Sequence, residues 1–130
     1  MMKLLIPAPA AALLALLSLP FGAADAGQVQ TGIASYYHDS LNGNRTASGQ
    51  IYDKNKMSAA HKSLPLGSRV RVTDKRTGKS IVVRINDRGP FVKGRIIDLS
   101  HRAAEKLGII RRGITRVQVE VLSEAGGSGA

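Results

Sequence analysis

The chain has 130 residues, no cysteine, 19 lysine and arginine residues against 9 acidic ones, and a formal net charge of +10. The missing cysteine excludes a disulfide framework and a thiolate metal site. So positive a charge favours an anionic partner such as nucleic acid, cell-wall polymer or lipid head groups, although solubility alone is the simpler explanation.

The N-terminal segment is typical of a secretory signal peptide. After a basic start, an apolar stretch over residues 4–21 leads to a small-residue cleavage pattern at residues 24–26. A membrane anchor is the alternative, but Pro7, Pro9 and Pro20 interrupt the stretch. Its uninterrupted part is shorter than the roughly 20 residues that a spanning helix needs. We therefore expect the segment to be cleaved.

One domain is expected after cleavage. Residues 1–26 form the signal peptide, residues 27–123 the domain, and residues 124–130, which are rich in glycine, a flexible tail. A secreted protein meets cell-wall polymer before nucleic acid, so we expect no nucleic-acid partner and no stable membrane insertion after cleavage. We expect a monomer in the periplasm or cell envelope, without a lipid anchor because no cysteine can carry the lipid.

Alternation of apolar and polar residues predicts a mainly β domain. In chain order, the predicted strands cover residues 31–37, 57–60, 69–73, 81–86, 95–98 and 116–121. The alternation is clearest in the third, fourth and last of these segments. The polar run at residues 74–78 predicts a hairpin loop between the third and fourth strands.

One helix is predicted, beginning after Ser100 as N-cap and ending at Gly108. Its apolar face consists of Ala103, Ala104 and Leu107. About six short strands with one short helix favour a closed barrel over a sandwich with exposed edges.

Asp87 is the candidate for acid–base chemistry. It ends a predicted strand between Arg84 and Arg88, and Gly89 and Pro90 follow it in a turn that exposes its side chain. The carboxyl could cap this turn, as most aspartates before Gly-Pro do. It could instead give and take a proton at a glycosidic bond.

The histidines do not have the spacing of a common metal site. His38, His61 and His101 form no i, i+2 or i, i+4 pair, so neither a metal nor another cofactor is predicted. A hydrogen-bonded structural role is the default for His61. Tyr36 and Tyr37 are adjacent, so on a strand their rings point to opposite faces. One ring is expected in the core and the other outward, where it could stack on a sugar; core packing of both is the alternative.

Five segments in this order resemble the core of the rare lipoprotein A family. They are residues 32–37 (GIASYY), 45–50 (RTASGQ), 58–66 (SAAHKSLPL), 82–92 (VVRINDRGPFV) and 94–100 (GRIIDLS). The resemblance covers residues 32–122. It implies an all-β fold, a six-stranded double-psi β-barrel with one short α-helix, related to barwin and to expansins.

The resemblance also implies an activity. Members of this family are lytic transglycosylases, lyases that cut peptidoglycan glycan strands between N-acetylmuramic acid and N-acetylglucosamine and leave 1,6-anhydro ends. They prefer strands without stem peptides and act in cell-wall remodelling and daughter-cell separation. The partner expected for this chain is therefore the peptidoglycan glycan strand.

Carried over position by position, the resemblance places the catalytic aspartate at Asp87 and the site histidine at His61. Gln50 stands where active members carry glutamate, and an amide cannot give or take a proton in catalysis. The residues expected to hold the glycan are Tyr36, Tyr37, Thr46, Arg84 and Arg88.

The glutamine leaves two hypotheses open. Arg84 and Arg88 favour an ionised Asp87, whereas a general acid must be protonated, and a nearby glutamate would oppose the arginines by like-charge repulsion. In the first hypothesis, Asp87 alone acts as acid and then base, the muramic acid 6-hydroxyl attacks in place of water, and His61 and Gln50 position the substrate. In the second, the domain is an expansin-like module that binds peptidoglycan without cutting it.

Overall fold

The computed structural model describes residues 26–123. The strands are β1 (Val29–Tyr36), β2 (Ser58–His61), β3 (Arg69–Asp74), β4 (Ser80–Asp87), β5 (Arg95–Leu99) and β6 (Thr115–Ser123). A helix, α1 (His101–Leu107), and a 3-10 turn (Asp39–Leu41) complete the secondary structure of these residues. The glycine-rich tail and all but the last residue of the predicted signal peptide lie outside the described range. Within that range, no helix has the length and apolar character needed to cross a membrane.

The strands close into a barrel in the order β1-β5-β2-β4-β3-β6. An antiparallel pairing of β6 with β1 completes the ring. The β1–β5 and β2–β4 pairs are parallel and join strands that are distant in sequence. Only β3 and β4 are consecutive neighbours, and they form the predicted antiparallel hairpin. The expected closed barrel of six strands with one short helix is confirmed.

The predicted alternation corresponds to a core face and a solvent face on most strands. On β3, Val70 and Val72 are buried while Arg69 and Arg71 are exposed. The strand residues that fill the centre of the barrel are Val70, Val72, Val83, Ile85, Ile97, Leu99, Val117, Val119 and Val121. Burial of these branched apolar side chains supplies the main driving force for folding.

The helix forms where the sequence predicts it. The Ser100 Oγ accepts a hydrogen bond from the Ala103 N–H at 3.1 Å, which satisfies one of the free donors of the first turn. Gly108 ends the helix in the left-handed region with φ of 84°. Ala103, Ala104 and Leu107 are buried against the barrel.

Strand β2 differs from the expectation. It covers Ser58–His61 rather than residues 57–60, and all four of its residues are buried. It pairs with β4 on one side and β5 on the other, as every strand of a closed barrel pairs with two neighbours. Because all four of its residues are buried, it has no solvent-exposed face. The predicted boundary therefore missed His61, which belongs to the strand.

Candidate functional site

Asp87 is the last residue of β4, and its carboxylate is held by neutral donors. Its Oδ1 accepts hydrogen bonds from the backbone N–H of Ala47 at 2.8 Å and of Arg88 at 2.9 Å. Its Oδ2 accepts a hydrogen bond from the Tyr37 hydroxyl. Within residues 26–123, Asp87 takes part in no ion pair. Both functions considered for this carboxylate, turn capping and proton transfer, are compatible with this geometry.

Tyr37 lies beside Asp87, and Tyr36 faces the core. The Tyr37 ring stacks on the ring of Tyr52, with centroids 4.5 Å apart. Burial, followed by the hydrogen bond to Asp87 and its negative charge, raises the pKa of Tyr37, so the phenol keeps its proton and acts as a donor. The Tyr36 hydroxyl donates to the Ile110 carbonyl at 2.9 Å, and its ring packs against the hydrophobic core.

The loop at residues 45–50 places the Ala47 N–H within hydrogen-bond distance of the Asp87 carboxylate. Thr46 is buried, and its hydroxyl donates to the Gln50 carbonyl at 2.7 Å. The Ser48 N–H donates to the Asn86 carbonyl at 3.2 Å, which attaches the loop to the end of β4. Thr46 therefore stabilises the loop from within.

Six of the eight predicted site residues line one or other of two pockets. The Asp87 pocket, of about 430 Å³, is lined by Tyr36, Tyr37, Asp87 and Arg88 among others. The larger Gln50 pocket, of about 940 Å³, is lined by Gln50 and by Arg84 and lacks Asp87. We take the smaller pocket as the candidate site because it contains the aspartate whose carboxylate can transfer a proton.

Gln50 is exposed and only weakly held. Its Oε1 lies 3.5 Å from the Ser48 Oγ and 3.4 Å from the Asn86 Nδ2, both long for a hydrogen bond. Its side chain makes no hydrogen bond to Asp87. The structure thus shows no hydrogen bond between these two side chains.

His61 is buried, and both of its ring nitrogens are engaged. Its Nδ1 accepts hydrogen bonds from the backbone N–H groups of Ser63 and Leu64, each at 3.1 Å, so the ring proton is on Nε2. That Nε2 lies 2.7 Å from the Gln30 Oε1 and donates to it. The ring lines neither pocket and stabilises the turn after β2. A contribution of His61 to activity must therefore pass through this turn.

Acidification is expected to destabilise the fold through His61. Burial, together with Arg88 and Lys62, lowers the pKa of His61 from 6.5 to about 4. The unfolded chain binds the proton more readily, so the stability due to neutral His61 is complete above pH 6.5 and is lost as the pH falls towards 4. The loss is at most about 3 kcal/mol. Urea unfolding at pH 7 and pH 4.5 should show a smaller loss in His61→Gln than in the wild type; equal losses would contradict the assignment.

The two arginines near Asp87 in sequence form no ion pair with it. The Arg88 guanidinium donates to the carbonyls of His61 at 3.1 Å and Leu64 at 2.7 Å. The Arg84 guanidinium donates to the Gly67 carbonyl at 3.2 Å. The expectation that these cations act directly on Asp87 is thus corrected, because their charged groups hold neighbouring backbone segments.

A family model described as "Lytic transglycolase" matches residues 29–119. The chain belongs to this family. An "Endolytic peptidoglycan transglycosylase RlpA" from Pasteurella multocida is 57% identical over 96 residues, which cover 74% of this chain and 33% of that protein. The protein of the same name from Haemophilus influenzae is 48% identical over 97 residues, 75% of this chain and 34% of that protein. The chain spans about a third of the length of these curated relatives.

Solved structures share the barrel at lower identity. The Streptomyces papain inhibitor superposes with a TM-score of 0.64 at 24% identity, covering 77% of this chain and 99% of that one. The expansin of Clavibacter michiganensis superposes with a TM-score of 0.61 at 20% identity, covering 77% and 53%. These likenesses concern the fold alone. Together with the family match, they confirm the double-psi β-barrel of this lytic transglycolase family domain.

The Asp87 pocket also contains two residues that were not predicted from the sequence. Phe91 and Asp98 both line the Asp87 pocket, and the Phe91 ring is 80% exposed. Phe91 follows a turn at Gly89. The backbone φ of Gly89 is 120°, a value that glycine adopts readily and that other residues adopt only with strain. An aromatic residue directly after a Gly-Pro turn could have suggested an exposed ring. No local signal marks Asp98.

Four exposed cations lie away from the Asp87 pocket. Lys75, Arg76 and Lys79 are exposed in the β3–β4 hairpin, and the Lys75 N–H bonds to the carbonyl of exposed Arg116 at 2.9 Å. The hairpin enters β4 at the end opposite to Asp87, about 23 Å along the strand. These four cations therefore lie on a different surface from the Asp87 pocket.

Proposed function

We propose that the chain is an endolytic lytic transglycosylase that acts on the glycan strands of peptidoglycan. The observation that carries the proposal is the carboxylate of Asp87, which lines an open pocket beside an exposed aromatic ring. An aromatic face packs well on a sugar ring, and a carboxyl group in such a cleft is the usual proton donor to a glycosidic oxygen. The names of the relatives agree with this chemistry.

The reaction needs one proton delivered and one removed. Asp87 donates a proton to the glycosidic oxygen, and the bond from this oxygen to the muramic acid C1 breaks. The 6-hydroxyl of the same muramic acid attacks C1 and loses its proton to a carboxylate, which in the simplest case is Asp87 itself. The products are a free 4-hydroxyl on N-acetylglucosamine and a 1,6-anhydro end, and no water is consumed.

The other predicted residues support this reaction in different ways. Tyr37 orients the Asp87 carboxylate through its hydroxyl and presents its ring to the glycan. Arg88 contributes the wall of the pocket. His61 acts as a positioning residue, because it holds the turn to whose carbonyls Arg88 donates. Gln50 contacts sugar units that extend into the neighbouring pocket.

The biological setting belongs to the same proposal. The protein is secreted through its signal peptide and works as a monomer in the periplasm or cell envelope, where peptidoglycan is found. It prefers glycan strands from which stem peptides have been removed, and it contributes to wall remodelling and the separation of daughter cells. Strands with and without stem peptides, offered at equal concentration, test this preference directly.

Product analysis tests the activity. We expect the purified chain to convert denuded glycan strands into shorter fragments with 1,6-anhydro ends, each 18 Da lighter than the hydrolysis product because no water is added. Mass spectrometry separates the two products. Reducing ends in place of anhydro ends would identify a hydrolase and contradict the proposal.

A second candidate function rests on Gln50. An amide at this position, with no hydrogen bond to Asp87, suits an expansin-like module that binds peptidoglycan without covalent chemistry. Such a module would sediment with insoluble peptidoglycan and release no fragments of either kind. Sedimentation and product analysis on the same sample therefore separate the two functions.

A further inference from the structure

Arg84 and Asp87 present their side chains on the same face of the barrel wall. Ser58 and Ala60 are two residues apart on β2, so their side chains share a face. Ser58 is in register with Arg84 on β4. Ala60 is in register with Asp87, because the pairing of β2 with β4 is irregular just before Ala60. Such an irregularity re-aims a side chain, and here it turns Asp87 to the face of Arg84.

The guanidinium of Arg84 has donors left for a ligand. One of its N–H groups donates to the Gly67 carbonyl at 3.2 Å, and a guanidinium has five. Within residues 26–123, the other N–H groups find no acceptor and the charge forms no ion pair. Arg84 is half-buried and lines the Gln50 pocket, so its free donors are available to a bound molecule.

The charges around the Gln50 pocket favour an anion at Arg84. The other two charged residues that line the pocket, Asp53 and Lys56, have opposite signs, so Arg84 leaves the pocket net positive. Arg69 on β3 is in register with Arg84, and neither is in an ion pair with the part of the chain that the structure describes. Like charges directly opposite on neighbouring strands destabilise a sheet. A bound anion removes this repulsion.

We propose that Arg84 binds the lactyl carboxylate of a muramic acid one disaccharide unit away from the bond at which Asp87 acts. The assignment rests on the proposed function and names the group by which the site recognises its strand. The lactyl group is a free carboxylate where the stem peptide has been removed, and an amide where the peptide is attached. The planar fork of a guanidinium matches a carboxylate and forms charge-assisted hydrogen bonds with it. An amide offers no charge to this fork.

The spacing along β4 suits a polymer with this repeat. Arg84 and Asp87 are three residues apart, which corresponds to about 10 Å along a strand. Muramic acid recurs once in every disaccharide of the glycan, and one disaccharide unit has about this length. With the bond to be broken at Asp87, the next muramic acid therefore reaches Arg84. Asn86 lies between them on β4 and lines the same pocket as Arg84.

Strands with capped carboxylates separate charge from size. Denuded strands whose lactyl carboxylates are converted to methyl amides are neutral at this group and carry no peptide. We expect the wild type to cut the charged strands with a kcat/KM about tenfold above that for the capped strands, because a hydrogen bond to a charged group contributes binding of this order. Most of the difference should lie in KM, since Arg84 does not touch the reacting atoms.

Arg84→Gln is expected to abolish this preference. Its kcat/KM on charged strands should fall about tenfold, whereas its kcat/KM on capped strands should stay within about twofold of the wild-type value. A merely structural role, through the hydrogen bond to Gly67, would lower both values equally and would contradict the assignment. Arg84→Lys keeps the charge without the fork and should retain part of the preference. Thermal unfolding checks that both variants keep their fold.

Lys75→Gln is the matched control. Lys75 is an exposed cation in the β3–β4 hairpin, outside the Gln50 and Asp87 pockets. Its replacement removes the same unit of charge and should leave the preference for charged strands unchanged. An equal loss of preference in Lys75→Gln and Arg84→Gln would show that only the net charge of the protein attracts the strands, and would overturn the assignment.

The outcomes separate this assignment from the proposed function. A wild type that cuts charged and capped strands equally well, or a folded Arg84→Gln variant that keeps the preference, overturns the role of Arg84 and leaves the transglycosylase proposal standing. A wild type that makes no anhydro ends refutes the transglycosylase, and the preference is then measured as binding to the two kinds of strand. Loss of that binding preference in Arg84→Gln supports the assignment, and its persistence overturns it.

Discussion

Asp87→Asn is expected to lower the yield of 1,6-anhydro ends by at least about 100-fold. Asparagine has nearly the same size, and its side-chain oxygen can still accept one of the hydrogen bonds that Ala47 and Tyr37 donate to the carboxylate. It has no acidic proton to give to the glycosidic oxygen. The fragments released from denuded glycan strands, quantified by mass spectrometry over a time course, measure the effect.

The control for this variant is Glu120→Gln, which removes a half-buried carboxylate from β6, outside the Asp87 pocket, and should cut like the wild type. Sedimentation with insoluble peptidoglycan should show that Asp87→Asn still binds. If the variant retained more than about a tenth of the wild-type rate, the proton would have to come from another group, and the role given to Asp87 would be wrong.

Asp74→Ala is expected to produce the largest loss of stability. Asp74 is fully buried, and its Oδ2 lies 2.7 Å from the Arg112 Nη2. Its Oδ1 accepts hydrogen bonds from the Arg76 N–H at 2.8 Å and the Thr115 hydroxyl at 3.0 Å. Burial alone would raise the pKa of Asp74, but these partners outweigh it and lower the pKa, so the group is charged in the fold.

Removing this carboxylate leaves an arginine and two further donors without their acceptor. We expect a loss of about 3 kcal/mol in the free energy of unfolding, since breaking one side of a buried ion pair has this order of cost. For a domain of this size, the melting temperature should fall by more than about 10 °C. Calorimetry or thermal denaturation followed by circular dichroism measures both changes.

Asp53→Ala provides a matched comparison. Asp53 also accepts a hydrogen bond from the N–H two residues later, from Asn55 at 2.9 Å, but it forms no ion pair with the residues that the structure describes. Its replacement should cost less than about 1 kcal/mol. Equal losses in the two variants would show that the Arg112 ion pair contributes nothing to stability.

The strands were predictable where one face is buried and the other is exposed. On β3 and β6 the branched apolar residues alternate with polar ones because the barrel interior and the solvent impose different requirements on successive residues. Strand β2 is only four residues long and buried throughout, so apolar and polar residues do not alternate along it. This is why the boundary was wrong at His61.

The candidate site was predictable only in its local part. Asp87 stands out because a strand and a turn meet at that residue, which is visible in a few consecutive letters. Asp98 approaches it only because β2 lies between β4 and β5 in the closed barrel, an adjacency between distant segments. The opposite error occurred at Arg88, which is next to Asp87 in sequence but extends its guanidinium to the carbonyl of Leu64.

The seam between β1 and β6 brings the two ends of the domain together. The Gly27 N–H donates to the Val121 carbonyl at 2.8 Å, and the Val121 N–H donates to the Gln28 carbonyl at 2.9 Å. Tyr37, beside Asp87, follows the other end of β1, about 23 Å along the strand from Val29. In a longer polypeptide, the segments before and after this domain would therefore both attach near the Val29 end of β1. They would leave the Asp87 pocket, near the opposite end of β1, accessible to a large polymer.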